Sequence, residues 1–361
     1  MTSYAKWMTD SVIARKTNLT DHWGYEYGLT LDGIAKVWQQ TGEKKYLAYV
    51  VKTMDHFIGE DGSIKGYALE EYNIDHLNNG KILLTLYQET GNEKYKKALL
   101  HLRKQIESHP RTSEGVFWHK DIYPNQIWLD GLYMGATFYA QYVKEFGDAT
   151  EFNDIAKQFM ICEKNLKDDA TGLLYHAWDE KKQQIWADKT TGLSPHFWGR
   201  SIGWYVMALV DTLEVFPEDN AHRHALVEIL NRTITALLKV QDTESHVWYQ
   251  VLDQGTRKGN YLEASGSSMI VYALLKGVRK GYLPDTLKET AKEAYQGLVD
   301  EFILETKEHL INLNKVCYVA GLGGKDNRDG TFAYYISEPI ISNEPKGLGP
   351  FILASVENEC L

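Results

Sequence analysis

The chain has 361 residues, 43% hydrophobic and 24% charged, which gives apolar material for one large core or two ordinary ones. Its net charge of −10 excludes the basic footprint of a nucleic-acid binder and offers nothing to an anionic membrane surface. Three scattered cysteines, Cys162, Cys317 and Cys360, form neither a disulfide framework nor a zinc spacing.

In chain order, the opening stretch MTSYAKWMTDSVIARK lacks an apolar signal region and a small-residue cleavage site. No later run approaches the ~18 apolar residues of a membrane span. The expected location is the cytoplasm, or the periplasm if a signal peptide has been trimmed away. With only eight prolines and few alternating β-branched runs, the sequence predicts mostly helix.

A two-helix repeat follows. GIAKVWQQTGEKKYLAYVVK begins at Gly33 and ILLTLYQETGNEKYKKALLHLRK at Ile82. Their Thr-Gly pairs, Thr41-Gly42 and Thr90-Gly91, lie 49 residues apart (90 − 41) and supply a left-handed stop to an apolar helix. The helix after each stop is amphipathic. A weaker copy runs from Gly131 to a stop at Gly147, and apolar helices recur from Ser201, Ser265 and Gly347. Six apolar helices alternating with polar ones predict a helix-hairpin array. It closes either as an open solenoid or as an (α/α)6 barrel of six inner and six outer helices. Gly33, Gly80, Gly131, Gly203, Gly266 and Gly349 are expected to mark the starts of the inner helices.

Polar and aromatic residues cluster ahead of these helices: around Tyr25, at Asn73–His76, at Trp128–Asp130 and at His196–Arg200. In a barrel they converge on one rim; in a solenoid they spread along a face. Asp75 and Asp130 each precede an inner helix in successive repeats. Neighbouring helices pack about 8–10 Å apart, so the two carboxylates could share a site and drive their pKa values apart. Alternatively each is an N-cap, a role Asp favours. His119, Lys120 and Tyr123 lie just upstream of Asp130, and LLYHAWDE offers Tyr175, His176, Trp178 and Asp179. Arg200 and Trp204, four apart, share a helical face suited to a ligand that is both carboxylate and ring. Ten Trp and 23 Tyr supply flat faces on which sugars stack. There is no G-x-S-x-G elbow, P-loop or H-E-x-x-H; the stretch GLGGKDNRDG (321–330) is glycine-rich without a strand–helix setting.

RTSEGVFWHKDIYPNQIWLDGLYMG, GLLYHAWDE, FWGRSIGWYVMAL and NYLEASGSSMIVYALLKG occur in that order. Together they resemble the unsaturated rhamnogalacturonyl hydrolases of glycoside hydrolase family 105, relatives of the unsaturated glucuronyl hydrolases. The resemblance covers nearly the whole chain. It implies one (α/α)6-barrel catalytic domain over 1–361 and no metal or organic cofactor. It implies a substrate released by polysaccharide lyases, such as an unsaturated galacturonyl-rhamnose from pectic rhamnogalacturonan, hydrated across its C4=C5 double bond. It carries the catalytic role to Asp130 in WLDG and, with Asp75, to a second carboxylate. It carries substrate binding to Tyr25, Trp128, His176, Arg200 and Trp204, which join His119 and Lys120. An unsaturated glucuronyl-rhamnose substrate, an inverting glycosidase on the same barrel and a non-enzymatic helical-repeat binding protein are the competing readings.

Overall fold

The computed structural model describes residues 3–361. In chain order its helices are α1 (Tyr4–Arg15), α2 (Tyr25–Thr41), α3 (Lys44–Asp55), α4 (Gly80–Thr90), α5 (Glu93–Ser108), α6 (Thr137–Phe146), α7 (Phe152–Leu166), α8 (Gly199–Val215), α9 (Arg223–Leu238), α10 (Ala264–Arg279), α11 (Lys288–Phe302), the short α12 (Phe332–Ser337) and α13 (Pro345–Cys360). Six strands of two or three residues make three small antiparallel pairs: β1 (Gln126–Trp128) with β2 (Ala177–Asp179), β3 (Ile303–Glu305) with β4 (Ile311–Leu313), and β5 (Val316–Cys317) with β6 (Ile340–Ile341). The protein is all-α in its framework. Among the described residues no helix is long and apolar enough to cross a membrane.

Burial separates two classes of helix. α8 is buried continuously from Gly199 to Leu213, and α10 from Ala264 to Val278. α5 buries Tyr95, Ala98, Leu99, Leu102 and Ile106, the spacing of a helix with one face on the core. The buried helices pack in sequence: α2 on α4, α4 on α6, α6 on α8, α8 on α10, α10 on α13, and α13 back on α2. Each carries one amphipathic partner: α3 on α2, α5 on α4, α7 on α6, α9 on α8, α11 on α10 and, from the other end of the chain, α1 on α13. Hydrophobic burial drives this arrangement, because a helix apolar on most sides must be covered on most sides.

The Thr-Gly stops are as read: Gly42 and Gly91 follow α2 and α4 at φ 71° and 65°, and each N–H bonds back into its helix. The expected helix starts need correction. Gly80 begins α4, but Gly33 lies two turns inside α2, and Gly203, Gly266 and Gly349 also lie within their helices. These glycines mark crossings instead. A Cβ on Gly349 would meet the Leu29 carbonyl at 2.7 Å, and one on Gly266 would meet the Arg200 amide nitrogen at 2.9 Å. The missing side chains let α13 approach α2, and α10 approach α8, backbone to backbone.

The segments that lead into the buried helices bond to one another. Asn73 bridges Lys120, Leu129 N–H donates to the His176 carbonyl, and Gly199 N–H donates to the Gln250 carbonyl. This mesh holds the site residues.

Candidate active site

Asp75 sits in a 3-10 turn (Ile74–Leu77) just before α4. Asp130 follows β1 and opens a helix whose first full turn, Leu132–Ala136, is a π-turn running into α6. Such turns recur at functional sites. The π-turn packs on the turn of Asp75: a Cβ on Gly135 would meet Ile74 Cδ1 at 2.6 Å. Glycine at 135 therefore lets the two aspartate-bearing turns close together.

Neither aspartate caps a helix. Asn73, not Asp75, accepts the cap bond of the 3-10 turn, and α4 has no side-chain cap. Asp130 Oδ2 is buried without a hydrogen-bond partner. The N-cap alternative therefore fails for both on geometry.

A cavity of about 160 Å³ is lined by both carboxylates together with Tyr25, His119, Lys120 and Trp128. That is below the range of about 300–1,000 Å³ usual for drug-sized ligands, a size that suits one sugar ring. The two carboxylates stand in unequal company. Asp75 Oδ2 is 2.7 Å from Lys120 Nζ, and Oδ1 is 3.8 Å from His119 Nε2. Burial pushes the Asp75 carboxyl up, but Lys120 and His119 outweigh it and hold it below the usual range. Burial also opposes the charge on Lys120, yet Asp75 keeps its pKa above the ordinary lysine value. Burial drives the His119 imidazole down to about 4, so it is neutral near pH 7.

Asp130 has a histidine rather than a lysine. His176 Nε2 lies 3.4 Å from Asp130 Oδ2, and His176 Nδ1 lies 2.8 Å from the Tyr335 hydroxyl. Burial keeps Tyr335 protonated far above neutral pH. A Tyr335 O–H donating to Nδ1 leaves the imidazole proton on Nε2, facing Asp130. Tyr335 is thus a positioning residue. Tyr335→Phe should lower kcat about 3- to 10-fold, the value of one hydrogen bond, with KM little changed and the pH–rate profile displaced. An unaltered kcat and pH profile would show that His176 keeps its tautomer without Tyr335.

Trp128, His119 and Tyr123 wall the cavity, whereas Trp204 and Arg200, expected at the substrate, do not line it. Trp128, His119 and Tyr123 are nearly parallel, with Trp128 centroids 4.5 Å from His119 and 4.9 Å from Tyr123. Trp204 is fully buried, 4.9 Å from Tyr133 and 6.1 Å edge-on from Tyr25. Arg200 is only 1% exposed. Its Nε donates to Ser265 Oγ at 2.7 Å, its Nη2 to the Cys317 carbonyl, and Glu263 Oε1 lies 3.7 Å away. The ring beside its guanidinium is Trp198 at 5.3 Å, not Trp204 as the spacing suggested. Glu263 in turn accepts from the Ser265 and Gly266 amides, so Arg200 ties α8 to the start of α10.

Sequence reading missed Tyr335 and Arg328, and the cavity lining at Met134 and Val319–Gly321. Met134 lies one helical turn beyond Asp130 in the same stretch, but no periodicity or motif links the others to WLDG. Among the described residues no group of three or more His, Cys, Asp or Glu is placed to hold a metal ion.

The family model described as Glycosyl Hydrolase Family 88 matches residues 2–361. A solved glycoside hydrolase from family 105 of C. acetobutylicum ATCC 824 is 74% identical, covers 100% of both chains and superposes with a TM-score of 0.99. The unsaturated rhamnogalacturonyl hydrolase YesR of Bacillus subtilis (strain 168) is 28% identical over 272 residues, 74% of each chain. An unsaturated 3S-rhamnoglycuronyl hydrolase of Alteromonas sp. (strain LOR) is 26% identical over 158 residues, 44% of this chain and 37% of that one. With a carboxylate pair in a sugar-sized, aromatic-walled cavity, the chain belongs to glycosyl hydrolase family 88 and to its family 105 relatives, and is a glycoside hydrolase.

Proposed function

We propose that this enzyme hydrates the C4=C5 double bond of a terminal unsaturated uronic acid, most simply unsaturated galacturonyl-rhamnose, with Asp130 as the proton donor. The observation that carries the reading is the inequality of the two carboxylates in one small cavity: Asp75 is paired with Lys120 and held anionic, while the only basic side chain within 4.0 Å of Asp130 among the described residues is His176. The similarity to YesR supports the galacturonyl-rhamnose substrate. The shorter match to the Alteromonas enzyme is the ground for the alternative, an unsaturated glucuronyl-rhamnose. The circuit of buried helices, each with an outer partner, supports a single (α/α)6 barrel over the whole chain. Three unpaired cysteines suit a reducing cytoplasm.

The C4=C5 bond is an enol ether bearing a carboxylate at C5. Asp130 gives its proton to C4, and positive charge develops on C5 and the ring oxygen. Water adds at C5 and returns a proton to Asp130, so one carboxyl group serves as acid and then base. The resulting hemiketal opens to a 5-ketone, leaving a hemiacetal at C1 that expels the aglycone with its own oxygen. Anionic Asp75 contributes a fixed negative charge to the cavity where the cation develops. Trp128 and Tyr25 supply apolar surface against which the ring is held. An inverting glycosidase would need Asp75 as general base, and a carboxylate held low by a lysine is a weak base.

The reaction run in deuterated water separates these routes. Hydration puts deuterium on C4 and removes the alkene signal, together with its ultraviolet absorbance. Ordinary glycosidic hydrolysis would release a uronate with its alkene intact and no label at C4, and that outcome would refute the proposal.

A further inference from the structure

The cavity holds a second cation that no carboxylate neutralises. Arg328 lines it together with Asp75, Asp130 and Lys120. Lys120 is bound to Asp75, but among the described residues no carboxylate lies within 4.0 Å of Arg328. Its guanidinium is nevertheless fixed. Nε donates to the Gly323 carbonyl at 3.0 Å, and Nη2 donates to the Tyr123 hydroxyl at 3.1 Å and the Leu322 carbonyl at 3.5 Å. Nη1 makes no hydrogen bond with the described residues.

The glycine-rich stretch 321–330 is built around this side chain. Gly323 and Arg328 pair across a tight hairpin, with Gly323, Gly324 and Asn327 at φ 62°, 75° and 47°. A Cβ on Gly321 would stand 2.3 Å from Arg328 Nη1. Glycine at 321 therefore leaves the space that the free donor occupies. The stretch resembled a phosphate loop in composition only; its work here is to aim an arginine into the cavity. Tyr123, which shares Nη2, lies 4.9 Å from Trp128, two residues before Asp130. The free donor and the proton donor thus belong to one wall.

The geometry points to Arg328 as the residue that receives the carboxylate of the unsaturated uronate, making it the specificity determinant for an acidic sugar. This assignment rests on the proposed hydration reading. An arginine held by its own hydrogen bonds and free of protein anions is preorganised for a carboxylate. Lys120 cannot serve equally, because its charge is already spent on Asp75. Arg200 is likewise accompanied by Glu263.

The test compares the unsaturated uronyl oligosaccharide with its methyl ester, which keeps the alkene and loses the charge. The wild-type enzyme should prefer the acid. Arg328→Gln should raise KM for the acid roughly 10- to 100-fold, the value of a hydrogen bond to a charged group. It should leave KM for the ester within about twofold, so the preference disappears. Gly321→Ala should act in the same direction while keeping the arginine, since its methyl displaces Nη1. Circular dichroism and melting checks accompany both variants. An Arg328→Gln enzyme with the wild-type acid-over-ester ratio would overturn the assignment, whether KM stays put or rises equally for both. A wild-type enzyme that leaves the alkene untouched would overturn the hydration reading and this assignment with it.

Discussion

Asp130→Asn is expected to lower kcat by roughly 10²- to 10⁴-fold, the contribution of a positioned general acid, in a protein that remains folded. Asn has nearly the shape of Asp and presents an oxygen to His176 Nε2, 3.4 Å from the present Oδ2. It has no carboxyl proton to give to C4. Stability should change little, because Asp130 caps no helix and its Oδ2 holds no hydrogen bond. The wild-type and variant melting curves should superpose within a few degrees, while the rate of alkene loss collapses. Substrate binding should persist, so isothermal titration with the variant gives a dissociation constant near the wild-type KM. A variant within tenfold of the wild-type rate would remove Asp130 from the acid role and return the question to Asp75.

The same residue shows how far the sequence could be read. WLDG announced a carboxylate at a helix mouth, and contiguity brought Trp128, His119 and Lys120 with it. What the sequence could not decide was whether that carboxylate served a cap or a site. The distinction lies in hydrogen bonds, and Asp130 makes none to its own helix. The glycines misled for a related reason. A glycine beside an apolar run reads as a boundary, but Gly33, Gly266 and Gly349 are needed where two backbones meet, a condition set by a helix far away in the chain. Distance in sequence also hid Tyr335, 159 residues from His176, and Arg328, 205 residues from Tyr123. Tyr335 lies in the six-residue α12 and Arg328 in a glycine-rich hairpin, both too short to signal a partner so far away, so only the closed framework brings them to the site. Arg200 was legible as an arginine on the rim-facing end of α8, but its anchoring role depends on Glu263, a partner that spacing does not reveal.

The second large effect concerns the lysine that sustains Asp75. Lys120→Met keeps most of the side-chain volume and removes the charge 2.7 Å from a carboxylate only 10% exposed. Leaving a buried charge unpaired costs about 3–5 kcal/mol, and His119, driven to about 4 by burial, is neutral near pH 7 and supplies no replacement. The sign of the pH dependence follows from the two shifts. In the wild type the folded pKa of Asp75 is lowered, so its contribution is present above the unfolded value, about 3.9, and is lost as pH falls through the folded one. Lys120 has a raised folded pKa, so its contribution is present below about 10.4 and is lost as pH rises through the folded value. The pair therefore stabilises fully between about pH 4 and pH 10. In Lys120→Met burial dominates, and Asp75 moves above the ordinary carboxylate range. The penalty is then greatest near neutrality and is relieved on acidification, as the variant's Asp75 takes up its proton before the wild type's does. Urea unfolding from about pH 3 to pH 9 should show curves that converge at the acid end. The acid limb of kcat/KM should also move to higher pH, because protonating Asp75 withdraws the fixed anion from the cavity. Parallel stability curves across that range would mean that Asp75 keeps its charge by other contacts, and that Lys120 is not what separates the two carboxylates.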